Sequence, residues 1–129
     1  MLSGNFDLSA EQNSVYEVSF KYVDENDSSI DILSTYDNVK FIVRKSALVQ
    51  EKNLFEVHYT GSVEEGYLQF VDTDTSYGNM TVVNDTITLT LSSNTMSSVN
   101  PGNYFYYLYL IDGEEMYCLV KGRFVVEAP

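Results

Sequence analysis

At positions 104–110 the chain reads Tyr-Phe-Tyr-Tyr-Leu-Tyr-Leu, and the rest of the chain is organised around this stretch. Its density of aromatic residues favours a β-strand, and Pro101-Gly102 just before it indicates a turn. Successive side chains of a strand point to opposite faces, so even- and odd-numbered residues separate here. Neither face is polar, whereas an antiparallel strand covered on one side alternates apolar with polar residues. The pattern therefore predicts that both faces of this strand are covered.

The even-numbered face is assigned to the core, and the odd-numbered face needs a second cover. That cover is either another part of the same chain, at 46–53 or 92–99, or another protein. Tyr and Phe are enriched in the cores of protein interfaces. The Asp112-Gly113 turn pairs this strand with the next one, which is predicted to extend the aromatic stripe. The predicted interface residues are Phe105, Tyr107, Tyr109 and Tyr117.

Composition narrows the function classes. The 129 residues are enough for one domain, which we expect to span 1–129. The net charge of -12 repels phosphate groups, so no nucleic acid partner is expected. The sequence shows no secretory signal and no apolar run of membrane-spanning length, so no membrane association is expected. Cys118 is the single cysteine, which excludes an internal disulfide.

Regularly spaced strands and turn signals predict the fold class. The clearest alternations of apolar and polar residues are at 15–23 and 86–91, and Asn84-Asp85 is predicted to close a hairpin that begins at 80. Ser92 can cap a short helix at 92–99. Together these features predict an all-β protein, an immunoglobulin-like β-sandwich of two antiparallel sheets with one short helix near 92–99.

Three further features concern the connections between strands. The segments at 54–60 and 67–71 are predicted to form a hairpin, because a glycine-bounded turn separates them. Gly122 is predicted to mark a β-bulge within the last strand, since glycine inside a strand often does so. Residues 6–8 are predicted to form a short first strand, which pairs either within its own sandwich or with a neighbouring subunit.

The residues that carry enzyme chemistry are few. His58 is the only histidine, and the sequence shows no nucleophile motif for it to serve as a base. The acidic runs at 24–31 and 72–74 could supply oxygen ligands, but neither has the spacing of a calcium-binding EF-hand loop. Solvated acidic loops are the simpler interpretation. We therefore expect no catalytic residues, no bound metal and no cofactor.

Three segments carry a resemblance to a known family. They are an alternating strand at 16–22 that leads through an acidic loop to Ile30-Asp31-Ile32, the hairpin at 78–92, and the run from Asn100-Pro101-Gly102 to Val126. In this order they resemble the immunoglobulin-like domains of tailed-bacteriophage virion proteins, including the N-terminal domain of baseplate upper proteins. The resemblance covers nearly the whole chain. It departs from the family at 105, 107 and 109, where a mixture including acidic residues is replaced by Phe, Tyr and Tyr.

The resemblance implies a non-enzymatic structural protein of the virion, assembled in the host cytoplasm. It implies a tail or baseplate adaptor or accessory protein that joins neighbouring subunits, present as a homo-oligomer or in symmetric multiple copies among other virion proteins. Two alternatives stay open at this point. One is a capsid decoration protein, and the other is a module that binds a host receptor or a glycan, because exposed tyrosine rings also stack on sugars.

Overall fold

Two β-sheets pack face to face in a computed structural model that describes residues 4–23, 26, 28–45, 53–59, 68–71 and 78–129. The strands are β1 Gly4–Asn5, β2 Leu8–Glu11, β3 Tyr16–Lys21, β4 Asn38–Arg44, β5 Asn53–His58, β6 Leu68–Val71, β7 Gly78–Val83, β8 Thr86–Leu91, β9 Gly102–Asp112 and β10 Glu115–Glu127. Two short helices, α1 Ile32–Thr35 and α2 Ser93–Ser97, connect strands. The predicted all-β sandwich is confirmed.

The larger sheet has the order β1-β10-β9-β4-β5-β6, and β2 continues along β10 beyond β1. The smaller sheet has the order β3-β8-β7. The order of the larger sheet is similar to that of a variable-type immunoglobulin sandwich, in which the sheet that contains the last two strands is widened by two more. It departs from that type in the parallel β5–β6 pair, and the described part of the smaller sheet has three strands rather than four. The Tyr104 hydroxyl donates a hydrogen bond of 2.6 Å to the Asn100 carbonyl, which is the tyrosine corner of such sandwiches.

The smaller sheet follows the predicted alternation closely. Asn84 and Asp85 form the two-residue turn between β7 and β8, and Asn84 adopts the left-handed conformation (φ 55°) that asparagine tolerates. Along β8 the leucine and isoleucine side chains are buried while the threonines are partly exposed. The Ser92 hydroxyl accepts a hydrogen bond from the Thr95 N–H, so the predicted serine cap of the short helix is present.

The core lies between the sheets and is rich in aromatic rings. Phe41 of β4 and Tyr106 of β9 are stacked with ring centroids 5.6 Å apart. Tyr16 of the smaller sheet meets Phe124 of the larger sheet edge to face, at 5.5 Å. Helix α2 adds Met96, which is fully buried in the same cluster. These contacts join both sheets and the helix in one core.

Three pairings in the larger sheet differ from the prediction of antiparallel sheets. β5 and β6 are neighbours as expected, but they run parallel, so the predicted hairpin is wrong. β1 and β2 also run parallel to β10. The glycines at 61 and 66 signal a turn, yet a turn signal carries no information about the direction of the next strand.

Gly122 has a different role from the predicted one. The irregularity in β10 lies between Cys118 and Val120, whereas Gly122 pairs regularly with Tyr106. A Cβ atom on Gly122 would lie only 2.0 Å from the Phe6 carbonyl oxygen. The glycine is therefore required for close approach of the N-terminal segment. The strand predicted at 6–8 is wrong for Phe6 and Asp7, which lie between β1 and β2, and right only for Leu8, where β2 begins. Both short strands pair within the same chain.

Candidate interaction surface

The outer face of β9 carries the aromatic side chains that the sequence singled out. Phe105, Tyr107 and Tyr109 all point away from the core and are half-buried, and we call these three residues the aromatic face. The rings of Tyr107 and Tyr109 are nearly parallel, with centroids 6.1 Å apart and 14° between their planes. Burial raises the pKa of Tyr109 above its usual range.

Cationic side chains flank the aromatic face on both sides. Arg44 of β4 is opposite Phe105, and its guanidinium carbon lies 5.3 Å from the centre of the Tyr107 ring, a cation–π contact. On β10, Lys121 is opposite Tyr107 and Arg123 is opposite Phe105. With Lys40, opposite Tyr109, the described strands bring four of the chain's seven Lys and Arg residues to this face. The surrounding protein is strongly acidic, so this face is distinct in charge as well as in shape.

The β4–β5 side of the same sheet surface is already covered. Ile42 and Glu56 lie opposite each other there, and each is only 2% exposed. The Lys40 ammonium lies 2.8 Å from a Glu56 carboxylate oxygen, which neutralises that charge in place. Of the two covers considered within the chain, α2 packs Met96 into the core, and residues 46–52 lie outside the described residues. The accessible part of the face is therefore over β9 and β10.

A groove of about 600 Å³ opens beside the aromatic face. It is lined by Asn5, Asp7, Phe105, Tyr107, Lys121, Gly122 and Arg123. Its volume lies within the range of ordinary ligand sites, and its floor combines ring surfaces with two cationic side chains. Such a floor suits a partner that is both anionic and able to contact a ring.

The wall of the groove is the N-terminal segment, held against β10 by several hydrogen bonds. The Phe6 N–H donates to the Lys121 carbonyl at 2.9 Å, while the Phe6 carbonyl turns inward to accept the Tyr106 hydroxyl at 2.5 Å. Because that carbonyl is turned away, a carboxylate oxygen of Asp7 accepts the next N–H of the ladder, from Arg123, at 3.0 Å. Regular backbone pairing is thus interrupted along the wall, and hydrogen bonds that involve side chains take its place.

Tyr117 does not lie on the aromatic face, so its predicted place there is wrong. It is opposite Leu110, and directly opposite residues of an antiparallel pair share a face of the sheet. Tyr117 is therefore on the inner side, where its ring lies 5.8 Å from that of Tyr36. Burial, followed by a hydrogen bond with Tyr22, raises the pKa of Tyr36 to about 12. The bulge after Cys118 then shifts the register and turns Lys121 outward.

The single cysteine and the single histidine lie on strands that flank the central pair β4 and β9. Cys118 is opposite Tyr109 on β10, and its thiol donates to the Val120 carbonyl at 3.6 Å. His58 is opposite Lys40 on β5. In the described part of the chain, no three His, Cys, Asp or Glu residues come together as metal ligands would. Asp31 is described and exposed, whereas the acidic positions 24, 25, 27, 72 and 74 lie outside the described residues.

Comparison with known proteins adds no information on function, so the aromatic face and its groove are the main evidence. No model of a known protein family matches the chain, and no curated protein is significantly similar to it. Within the described ranges, neither helix has the length or apolar character needed to cross a membrane.

Proposed function

We propose that this protein is a non-enzymatic structural component of a tailed-phage virion, an adaptor or accessory subunit of the tail or baseplate. The observation that carries the proposal is the aromatic face, which lies on the outer side of a sheet whose inner side is already complete. The resemblance of the strand and turn motifs to virion immunoglobulin-like domains supplies the setting. The protein would be assembled in the host cytoplasm and would act by joining neighbouring virion subunits.

The chemistry of the aromatic face suits docking to protein. Tyrosine and phenylalanine rings offer large contact areas at low cost in side-chain entropy, and they concentrate binding energy at interface centres. Full burial of the three rings contributes on the order of 5 kcal/mol before the costs of association. A symmetric particle repeats such a contact many times, so avidity holds the subunit even where one contact is weak.

Substitution on the two outer faces of the sandwich tests the proposal. Replacing Tyr107 and Tyr109 with serine leaves the core untouched, and we expect a folded protein that no longer joins the particle. The matched control replaces Thr88 and Thr90, on the outer face of the smaller sheet, with serine. Particles assembled with each variant are purified and their protein content compared with wild type. Normal incorporation of the tyrosine variant would contradict the proposal.

Capsid decoration is the nearest alternative placement, and it uses the same docking chemistry. Electron microscopy of the particle separates the two placements, because an adaptor gives density at the tail and a decoration protein gives density over the shell lattice. We retain the tail placement because the resemblance is to baseplate domains.

A glycan-binding module is a second candidate function, and the groove favours it. Phe105 and Tyr107 offer ring surfaces for stacking, while Lys121 and Arg123 would attract an anionic sugar. The isolated protein, applied to an array of host-type and charged glycans, tests this function directly. Binding that disappears when Tyr107 is replaced by serine would support it, and absence of binding across the array would exclude it in favour of docking to protein.

A further inference from the structure

Charge is distributed unevenly along the β9–β10 hairpin. The groove end of the hairpin holds Lys121 and Arg123. The far tip, where β9 turns into β10, is exposed and holds Asp112, Glu114 and Glu115. Asp37 adds a further carboxylate at that tip, because it accepts the Gly113 N–H at 3.1 Å. One element therefore carries a cationic concave surface and an anionic protruding turn.

We infer that the groove binds the acidic hairpin tip, residues 112–115, of a second copy of this chain. The carboxylates of one copy meet the ammonium and guanidinium groups of the next, and charge-assisted hydrogen bonds of this type are among the strongest available at a protein surface. The inference deepens the proposed function, on which it rests for the use of this sheet face in assembly. It adds the identity of the partner surface.

The tip is prepared for such a contact. Gly113 adopts the left-handed conformation (φ 61°) that allows a tight two-residue connection between the paired positions Asp112 and Glu115. The hydrogen bond from Gly113 to Asp37 ties the turn to the segment before β4. A turn that is already ordered loses little conformational entropy on binding. The groove is ordered in the same way, by the hydrogen bonds of Phe6 and Asp7 to β10.

Among the described residues, the other carboxylates of the same sheet have partners or positions of their own. Asp7 lines it, but one of its oxygens already accepts the Arg123 backbone N–H. Glu11 and Glu127 face each other at the corner of the sheet, where β2 pairs with the end of β10. Glu56 is buried against Lys40. The cationic side chains of Lys121 and Arg123 are therefore presented to solvent, and both are exposed.

The contact is heterologous, since the groove and the tip are different surfaces of one chain. Heterologous contacts build closed rings or open filaments rather than two-fold dimers. The net charge of -12 on each copy opposes association at long range. At an ionic strength of about 0.15 M the Debye length is about 8 Å, so this repulsion is largely screened while charges in direct contact still attract.

Complementation between two variants tests the inference at that ionic strength. The groove variant carries Lys121→Ala and Arg123→Ala, and the tip variant carries Glu114→Gln and Glu115→Gln. Each variant lacks one of the two surfaces, so each alone should be monomeric in sedimentation velocity at concentrations where wild type forms larger species. An equimolar mixture should form one-to-one dimers and nothing larger, because only one functional groove and one functional tip meet. For the groove variant alone and for the tip variant alone, the dissociation constant of self-association should be at least about tenfold higher than for wild type, which corresponds to about 1.4 kcal/mol.

Matched controls remove a charge elsewhere. Lys21→Ala and Glu17→Gln lie on the outer side of β3 in the smaller sheet, and they should associate as wild type does. A monomeric wild type, a groove variant that associates normally, or a mixture that stays monomeric would each overturn the inference. The proposed function fails separately. A monomeric wild type whose Tyr107→Ser, Tyr109→Ser variant is still lost from particles would leave the virion proposal intact while this inference fell.

Discussion

The two outer faces of this sandwich are built from strands with equally complete inner faces. On β8 the inner residues Ile87, Leu89 and Leu91 are fully buried, as are Tyr106, Leu108 and Leu110 on β9. Outside, β8 presents threonines, whereas β9 presents Phe105, Tyr107 and Tyr109 between cationic side chains. The inner residues of β8 and β9 belong to one core cluster that includes none of the outer residues of these two strands. The aromatic residues on the outer face of β9 therefore call for an explanation other than folding, and we propose that they dock to a neighbouring protein.

Each outer face carries an ion pair, and the two pairs differ in burial. Removing the buried pair should have the largest effect on the free energy of unfolding. Lys40→Met removes the partner that lies 2.8 Å from the buried carboxylate of Glu56, which should lower the free energy of unfolding by roughly 3 kcal/mol. Lys21→Met, on the smaller sheet, removes a contact of 3.8 Å to Asp85 from a side chain that is 65% exposed, and should cost less than about 1 kcal/mol. Urea denaturation of both variants measures the difference. Equal losses would contradict the assigned burial of the Lys40–Glu56 pair.

The wall of the groove gives the next largest effect. Gly122→Ala places a Cβ atom 2.0 Å from the Phe6 carbonyl oxygen, so the N-terminal segment must move, at an expected cost of about 2 kcal/mol. Gly4→Ala is the matched control, because its Cβ would have nearest neighbours at an ordinary 3.6 Å. Thermal unfolding of the two variants compares them. A Gly122→Ala protein as stable as the Gly4→Ala protein would show that the segment is not held as described.

The contribution of Asp85, in the β7–β8 turn of the smaller sheet, to the stability of the protein should depend on pH. Hydrogen bonds from the Ser29 and Thr86 hydroxyls hold the pKa of Asp85 below its ordinary value of 3.8. A carboxyl group whose pKa is lower in the folded state stabilises the protein above its unfolded pKa, and this contribution is lost as the pH falls through the folded value. Asp85→Asn should therefore be less stable than wild type at pH 7, with the difference closing below about pH 3.8. A difference that stays constant with pH would refute this role.

The smallest effect is expected at the centre of the threonine surface. Thr88→Ala removes an exposed hydrogen bond of 3.0 Å with the Ser19 hydroxyl, and it should change the free energy of unfolding by no more than about 0.5 kcal/mol. Incorporation of the variant into particles should be unchanged. Chemical denaturation measures the stability, and the protein composition of purified particles measures the incorporation. Loss of incorporation would move the docking surface to the smaller sheet.

Alternation of side chains was the part of the fold that the sequence predicted best. Side chains of a strand alternate between its two faces, so the inner faces of β8 and β9 were predictable from the sequence. The place of the short helix was predictable from its serine cap. Local chemistry likewise indicated the Asn84-Asp85 turn and the Ser92 cap. Strand direction was not predictable for β5 and β6, because alternation reads the same in parallel and antiparallel pairs.

The candidate surface was predictable only in part. Three of its aromatic residues share one strand, so their common face followed from the sequence. Tyr117 did not, because its side is set by the register across the β9–β10 turn, and a shift of one residue exchanges the two faces of a strand. Lys40, Arg44, Lys121 and Arg123 come from two strands far apart in sequence, and only the folded sheet brings them beside β9.

The most direct test of the central claim is a cryo-electron microscopy map of the assembled particle, read for what contacts each outer face of this sandwich. We expect a neighbouring protein against Tyr107 and Tyr109, with the threonines of β8 open to solvent or only loosely covered. A map in which the aromatic face is open to solvent while the threonine surface makes the contacts would contradict it, as would a particle that lacks the protein.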